Sequence, residues 1–252
     1  MRFSGLVLAA LLAIWGGRAG AGEVHVAVAA NFTEPAREIA SAFEELTGHE
    51  TILSFGSTGQ LYAQISQGAP FDVFLAADQE RPRRAIAEGY AVKGTNFTYA
   101  LGALVLWSAD GSRASDAAAL EAGDFHRLAI ANPVTAPYGT AAMQVLDALG
   151  LVEELEPKLV RGNNIAQTFQ FVETGNAELG FVAASQLAGR QASSGWVIDP
   201  ALYDPIRQDA VLLLEGDETE AARKFLTFLQ GAEAAAIIER FGYGNGTGAA
   251  VK

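Results

Sequence analysis

The sequence predicts an α/β protein of two lobes with a ligand cleft between them. Three observations carry this. Apolar β-prone runs alternate with stretches of helical periodicity along the chain. Four of the turns from strand to helix are rich in glycine or hydroxyl side chains. One apolar run, Tyr99 to Trp107, is long enough to pass from one lobe into another. Mainly parallel sheets of this kind bind ligands at the carboxyl ends of their strands, where helices begin.

The chain opens on a targeting segment. Met1-Arg2-Phe3 is a short basic start, and Leu6 to Trp15 is apolar but too short to span a bilayer. Ala19-Gly20-Ala21 has the small residues of a cleavage site. Together they read as a secretory signal peptide, residues 1–21, cut after Ala21. No later stretch is long and apolar enough for a membrane span. The sequence has no cysteine, so the exported chain folds on its core without disulfides and has no cysteine to carry a lipid. The expected location is the periplasm of a Gram-negative bacterium.

Val24 to Ala30 reads as the first strand, with valines alternating with smaller or polar residues. Asn31-Phe32-Thr33 is its turn, with Thr33 the expected N-cap of a helix whose first turn holds Pro35. Ala36, Ile39, Ala40, Phe43 and Leu46 form the buried stripe of that helix, and Gly48 ends it.

Thr51-Ile52-Leu53 is a second strand, followed by Ser54-Phe55-Gly56-Ser57-Thr58-Gly59-Gln60. Leu61, Tyr62 and Ile65 then recur at helical spacing until Gly68. The stretch is therefore a turn into a helix N-terminus, where backbone N–H groups are unpaired and the helix dipole is positive. Glycines admit close approach and hydroxyls add donors, which suits a small anion. Serine, threonine and glycine are equally ordinary capping residues. No Gly-Lys-Ser/Thr follows, so this is not a nucleotide P-loop. Phe55 stands where a nucleophile elbow needs glycine.

Phe71 to Ala77 is a buried strand, with Asp72 and Asp78 read as capping or hydrogen-bonded carboxylates. After the crossing run Tyr99 to Trp107 come a loop, a short helix from Ala117 to Glu121 and a strand from Leu128 to Ala131. Asn132 to Thr140 is the third turn, stiffened by Pro133 and Pro137, and Gly139-Thr140 opens its helix. Tyr138 within it serves packing as readily as contact. Lys158 to Val160 is a strand, and Arg161-Gly162-Asn163-Asn164 is the fourth turn, leading into a helix bearing Ile165, Phe169 and Val172. Arg161 reads as solvated. Leu179 to Ala183, Trp196 to Ile198 and Ala210 to Leu214 are further strands, and helices over Glu218 to Leu229 and Glu233 to Arg240 close the fold. Gly244 to Lys252 reads as a loose tail.

The 252 residues are 50% hydrophobic, enough for two lobes. The formal charge is −12, and losing Arg2 and Arg18 with the signal peptide takes it to near −14. That surface disfavours nucleic acid and anionic membranes. An anion can still be held by a buried ring of neutral dipoles. His25, His49 and His126 have no metal-ligand spacing and read as structural or solvated, so no catalytic set and no metal site are expected.

Three stretches look familiar together: Ala29-Ala30-Asn31-Phe32-Thr33, Ser54 to Gly59, and Gly68-Ala69-Pro70-Phe71-Asp72 through Ala76-Ala77-Asp78. With Asn132-Pro133 through Tyr138-Gly139 and the ending Ala234 to Tyr243, the chain resembles the periplasmic molybdate-binding proteins of ABC transporters. The resemblance implies the type II periplasmic binding protein fold, closed on one tetrahedral oxyanion. It implies lobe I over residues 22–100 and 205–252, and lobe II over 101–204. It implies that Asn31 and Thr58 donate from lobe I with Ser57 beside them, and that the backbone N–H groups of Tyr138 and Ile165 donate from lobe II. The implied ligand is molybdate, with tungstate beside it, and no cofactor. The implied partner is a membrane permease of an ABC transporter, served by a monomer. Many members place a tyrosine where this chain has Ala183, so the Asn31 amide is the expected substitute donor. Two alternatives stand beside this: a binder of another oxyanion such as sulfate or phosphate, and a secreted hydrolase using Ser57.

Overall fold

The computed structural model describes residues 21–110, 116–190 and 195–244. The expected signal peptide, up to Gly20, and the expected tail after Gly244 lie outside the described residues. The elements run in chain order as β1 (Glu23–Ala29), α1 (Thr33–Thr47), β2 (Glu50–Gly56), α2 (Thr58–Ser66), β3 (Val73–Leu75), α3 (Glu80–Ala87) and β4 (Phe97–Gly102). Next come β5 (Leu104–Trp107), α4 (Ala117–Ala122), β6 (Leu128–Ala131), α5 (Pro137–Ala148), α6 (Val152–Leu155), β7 (Leu159–Gly162), α7 (Ile165–Glu173), β8 (Leu179–Ala183) and β9 (Gly195–Val197). The chain closes with β10 (Ile206–Leu212), α8 (Glu220–Leu229) and α9 (Ala232–Arg240).

Two five-stranded sheets result, ordered β2-β1-β3-β10-β4 and β7-β6-β8-β5-β9. The two orders are the same pattern. In each, the second strand pairs in parallel with two neighbours: β1 with β2 and β3, β6 with β7 and β8. In each, the fourth strand runs antiparallel to its neighbours, β10 in one and β5 in the other. Those two reversed strands are the first to follow each crossing between the sheets.

The expected single strand from Tyr99 to Trp107 is two strands in different sheets. β4 still pairs at Gly102 with Ile206, while β5 begins at Leu104 opposite Ala183. Ala103 is the step between them. A continuous apolar run marks burial on both sides of the step, and periodicity alone does not show a change of sheet.

Side-chain alternation builds the layers. Val24, Val26 and Val28 pack with Phe32, Ile39 and Phe43 of the first helix region and with Phe225 and Ile237. Ala27 on the opposite face packs with Leu61, Tyr62 and Ile65 of α2. In the second sheet Leu104, Leu106 and Ile130 pack against Val145 of α5, and Val105 and Ala129 against Phe169 and Val172 of α7. Each sheet thus has helices on both faces.

Two local expectations are corrected. Thr33 is not an N-cap: a 3-10 turn over Ala30–Phe32 leads straight into α1, and the Thr33 hydroxyl donates back to the Ala30 carbonyl at 2.9 Å. Leu46 leaves the stripe and is 69% exposed, because among the described residues nothing covers the last turn of α1 at that position. Gly48 does end the helix, at φ 72°, with its N–H on the Glu44 carbonyl. Among the described residues, no helix is long and apolar enough to cross a membrane.

Candidate functional site

The carboxyl ends of β1, β2, β6 and β7 face one another across the gap between the sheets. These are matching strands in the two orders, so each lobe offers the same pair of turns. Asn31, Ser57, Thr58, Tyr138 and Ile165 all line one cavity there, with Ala77, Pro137 and Asn164 among their neighbours. The cavity is small, about 10 Å³, and no lining residue carries a formal charge.

Local sequence explains the donors. Thr58 and Ile165 are the first residues of α2 and α7, and Tyr138 is the second of α5. N–H groups at those positions have no partner inside their own helix. Ser57 is the extended N-cap of α2, yet its side chain makes no capping bond. Its Oγ is buried and has no hydrogen-bond partner among the described residues. Leaving a hydroxyl unpaired in the interior costs about 1–3 kcal/mol, so an acceptor in the cavity would relieve it. Thr58 Oγ1 accepts from the Ala77 N–H at 3.0 Å, which leaves its own O–H free to point at a ligand. Asn164 caps α7 by accepting from the Gln167 N–H at 2.9 Å, and so holds the Ile165 N–H in place.

The Asn31 amide is not the substitute donor expected from the sequence. Both its hydrogens are spent inside the protein, on Gln208 Oε1 at 2.8 Å and on the Tyr243 hydroxyl at 3.0 Å. Asn31 can therefore offer the cavity its backbone N–H, not its side chain. Its carbonyl is also held, by the Tyr243 hydroxyl at 2.7 Å and the Ser185 hydroxyl at 2.9 Å. Ala183 lies in β8 and accepts no such role; its N–H donates to Gln186 Oε1. Gln208, Tyr243 and Ser185 were not singled out as site residues from the sequence, since none lies in a turn from strand into helix that carries the expected donors.

The lobes touch around the cavity. Gly59 N–H donates to the Thr135 carbonyl at 2.9 Å, and Arg81 Nη2 donates to the Val134 carbonyl at 3.2 Å. Arg81 is itself ion-paired to Asp78, whose carboxylate also accepts the Arg81 backbone N–H at 2.9 Å. Asp78 thus has the hydrogen-bonding role expected of it. Burial raises its pKa above the usual carboxylate value, against the opposing pull of Arg81. Burial likewise pushes the Tyr138 phenol well above its ordinary value. Arg161 stays at the surface, paired with Glu156 at 2.7 Å. Asp72 accepts from the His25 N–H at 2.7 Å, and buried His49 accepts from the Gly22 N–H at 3.0 Å, both structural uses.

Other grooves suit a small dianion less well. One mixes Asp78 and Asp204 with Arg81 and Arg207, and another is lined by Trp107, Val197 and Phe241. Neither presents a charge-free ring of helix N-termini.

A two-lobed α/β fold closed over a small ring of neutral donors defines a solute-binding protein. The chain belongs to the bacterial extracellular solute-binding protein family, whose model matches residues 24–244. It is 55% identical over 225 residues to the molybdate-binding protein ModA of Rhodobacter capsulatus, covering 89% of each chain. It is 54% identical over 230 residues to ModA of Azotobacter vinelandii, covering 90% of this chain and 91% of that one. The solved periplasmic molybdate-binding protein of Azotobacter vinelandii superposes with a TM-score of 0.83, covering 87% of this chain and 98% of that one at 38% identity. The sulfate-binding protein SubI of Mycobacterium tuberculosis, at 13% identity and a TM-score of 0.73, shares the fold alone.

Proposed function

We propose that this protein is an extracytoplasmic solute-binding protein that captures molybdate, and tungstate with it, for an ABC importer. The observation that carries the reading is the charge-free cavity in which five donor-bearing residues from both lobes converge, one of them the unpartnered Ser57 Oγ. Molybdate and tungstate are dianions that only accept hydrogen bonds near neutral pH. A ring made only of donors matches them. Family membership and the ModA relatives support the same reading.

The proposed ligands are the backbone N–H groups of Asn31, Thr58, Tyr138 and Ile165 and the hydroxyls of Ser57 and Thr58. The lobes divide at Ala103, where β4 of the first sheet gives way to β5 of the second, and not after residue 100 as the resemblance implies; the chain returns to the first lobe before β10 at Ile206. The chain acts as a monomer in the periplasm after cleavage behind Ala21, and binds no nucleic acid. A binding role is supported by the lining, in which Ser57 Oγ makes no hydrogen bond to a base among the described residues and no histidine takes part. Calorimetric titration of the mature chain with molybdate, tungstate, sulfate and phosphate tests the assignment. Tight, one-to-one binding of the first two is expected, and a chain that ignores both sinks it.

A further inference from the structure

Gln208 is a fully buried carboxamide on β10 and does not line the cavity. Its bonds nevertheless reach two residues that do. Oε1 accepts from Asn31 Nδ2 at 2.8 Å and from the Tyr99 hydroxyl at 3.1 Å. Nε2 donates to the Tyr138 hydroxyl at 3.2 Å. Asn31 belongs to the first lobe and Tyr138 to the second. We propose that Gln208 is a positioning residue that ties Asn31 to Tyr138 in the closed form and so slows release of the bound oxyanion.

The carboxamide fits both partners, accepting on the Asn31 side and donating to the Tyr138 hydroxyl oxygen on the other. A glutamate would present acceptors to both, and a leucine neither. The space is kept clear for this contact: a Cβ on Gly102 would lie 2.2 Å from the Tyr138 hydroxyl oxygen and 2.8 Å from Gln208 Nε2. The bond to Asn31 lies within one lobe, while the bond to Tyr138 spans the two, so in this proposal it is the Tyr138 bond that opening of the cleft breaks. Its loss should therefore act on escape from the closed complex and leave capture by the open form unchanged.

The role rests on the cavity being the molybdate site, and the test separates the two. Association and dissociation rates for molybdate are measured by stopped flow for the wild type, Gln208→Leu, Tyr138→Phe and the double variant. Each single variant should release molybdate about tenfold faster, with association within about twofold of wild type. The double variant should release no faster than the quicker single one, because both remove the same bond. Tyr138→Phe keeps both partners of the Asn31 amide and the Tyr138 backbone N–H, so it carries the test if Gln208→Leu does not fold. A Tyr138→Phe chain that releases molybdate at the wild-type rate overturns the role of Gln208, as do single effects that multiply in the double variant. A wild type that does not bind molybdate overturns the ligand assignment and this role with it.

Discussion

The backbone N–H of Gly59 donates to the backbone carbonyl of Thr135 at 2.9 Å, joining the first turn of α2 to the loop before α5. This bond crosses the cleft beside the cavity. A Cβ on Gly59 would sit 3.0 Å from Thr135 Cα and 3.1 Å from its carbonyl oxygen. The glycine is what lets the two backbones meet.

Gly59→Val should hold the cleft ajar. The closed, binding-competent state then makes up a smaller fraction of the chain, and apparent affinity falls by that fraction. We expect molybdate affinity to drop about tenfold or more, with the melting temperature of the ligand-free chain within a few degrees of wild type. Wild-type affinity together with a wild-type scattering radius on saturation would count against a lobe contact here.

Ser57 and Thr58 should separate binding from stability. Ser57→Ala removes a buried hydroxyl that has no partner among the described residues, so the ligand-free chain should be no less stable than wild type. Anion affinity should fall by about 1.5–3 kcal/mol, the worth of a hydrogen bond to a charged group. Thr58→Val also strips the acceptor from the Ala77 N–H, so it should lose about 1–3 kcal/mol of stability besides affinity. Denaturant unfolding and calorimetry on the two variants check both halves. A destabilised Ser57→Ala chain with unchanged affinity would show the hydroxyl to be structural.

Selectivity follows from the donor inventory. No carboxylate lines the cavity, so the proton that phosphate keeps near neutral pH meets no strong acceptor there. Sulfate has the right charge but shorter bonds, and a rigid ring cannot reach it from all sides. Competitive titration should find much weaker sulfate and no useful phosphate binding. Displacement of molybdate by either at comparable concentration would return the site to a general oxyanion binder.

Alkaline pH should destabilise the buried tyrosines around the site. Burial pushes the Tyr243 phenol from 10.0 up to about 12, and burial holds Tyr99 and Tyr138 well above their ordinary value. Each native phenol keeps its proton longer than the unfolded one. The stability this gives is fully present below pH 10 and is lost as pH rises through the folded pKa. For Tyr243 alone the loss from pH 10 to 12 is roughly 2–3 kcal/mol. Unfolding free energy measured across that window should fall less steeply in Tyr243→Phe than in wild type, and parallel slopes would refute the attribution.

Much of the site was legible because its donors are local. A strand that stops at Gly56 and a helix that starts at Thr58 expose N–H groups whatever the rest of the chain does, and the glycines, serine and threonine there announce it. The same holds for Tyr138 after two prolines and for Ile165 after Asn164. Leu46 and Thr33 were misread for the opposite reason. Periodicity predicts which face a residue is on, but not what is packed over the last turn, and a hydroxyl near a helix start has more than one backbone partner within reach.

The α/β class, the crossing run and the turns that carry the donors were determined by the sequence by itself, since each depends on residues within a few positions of one another. Only the tertiary structure decided that the Asn31 amide is withheld from the cavity, because its partners Gln208 and Tyr243 lie 177 and 212 residues away. Only it decided that Tyr99 to Trp107 divides between two sheets at Ala103, and that Gly59 and Thr135 meet. Local pattern sets where backbone groups are left unpaired. Which distant side chain satisfies or withholds a donor depends on how whole lobes pack, and no short window of residues carries that information.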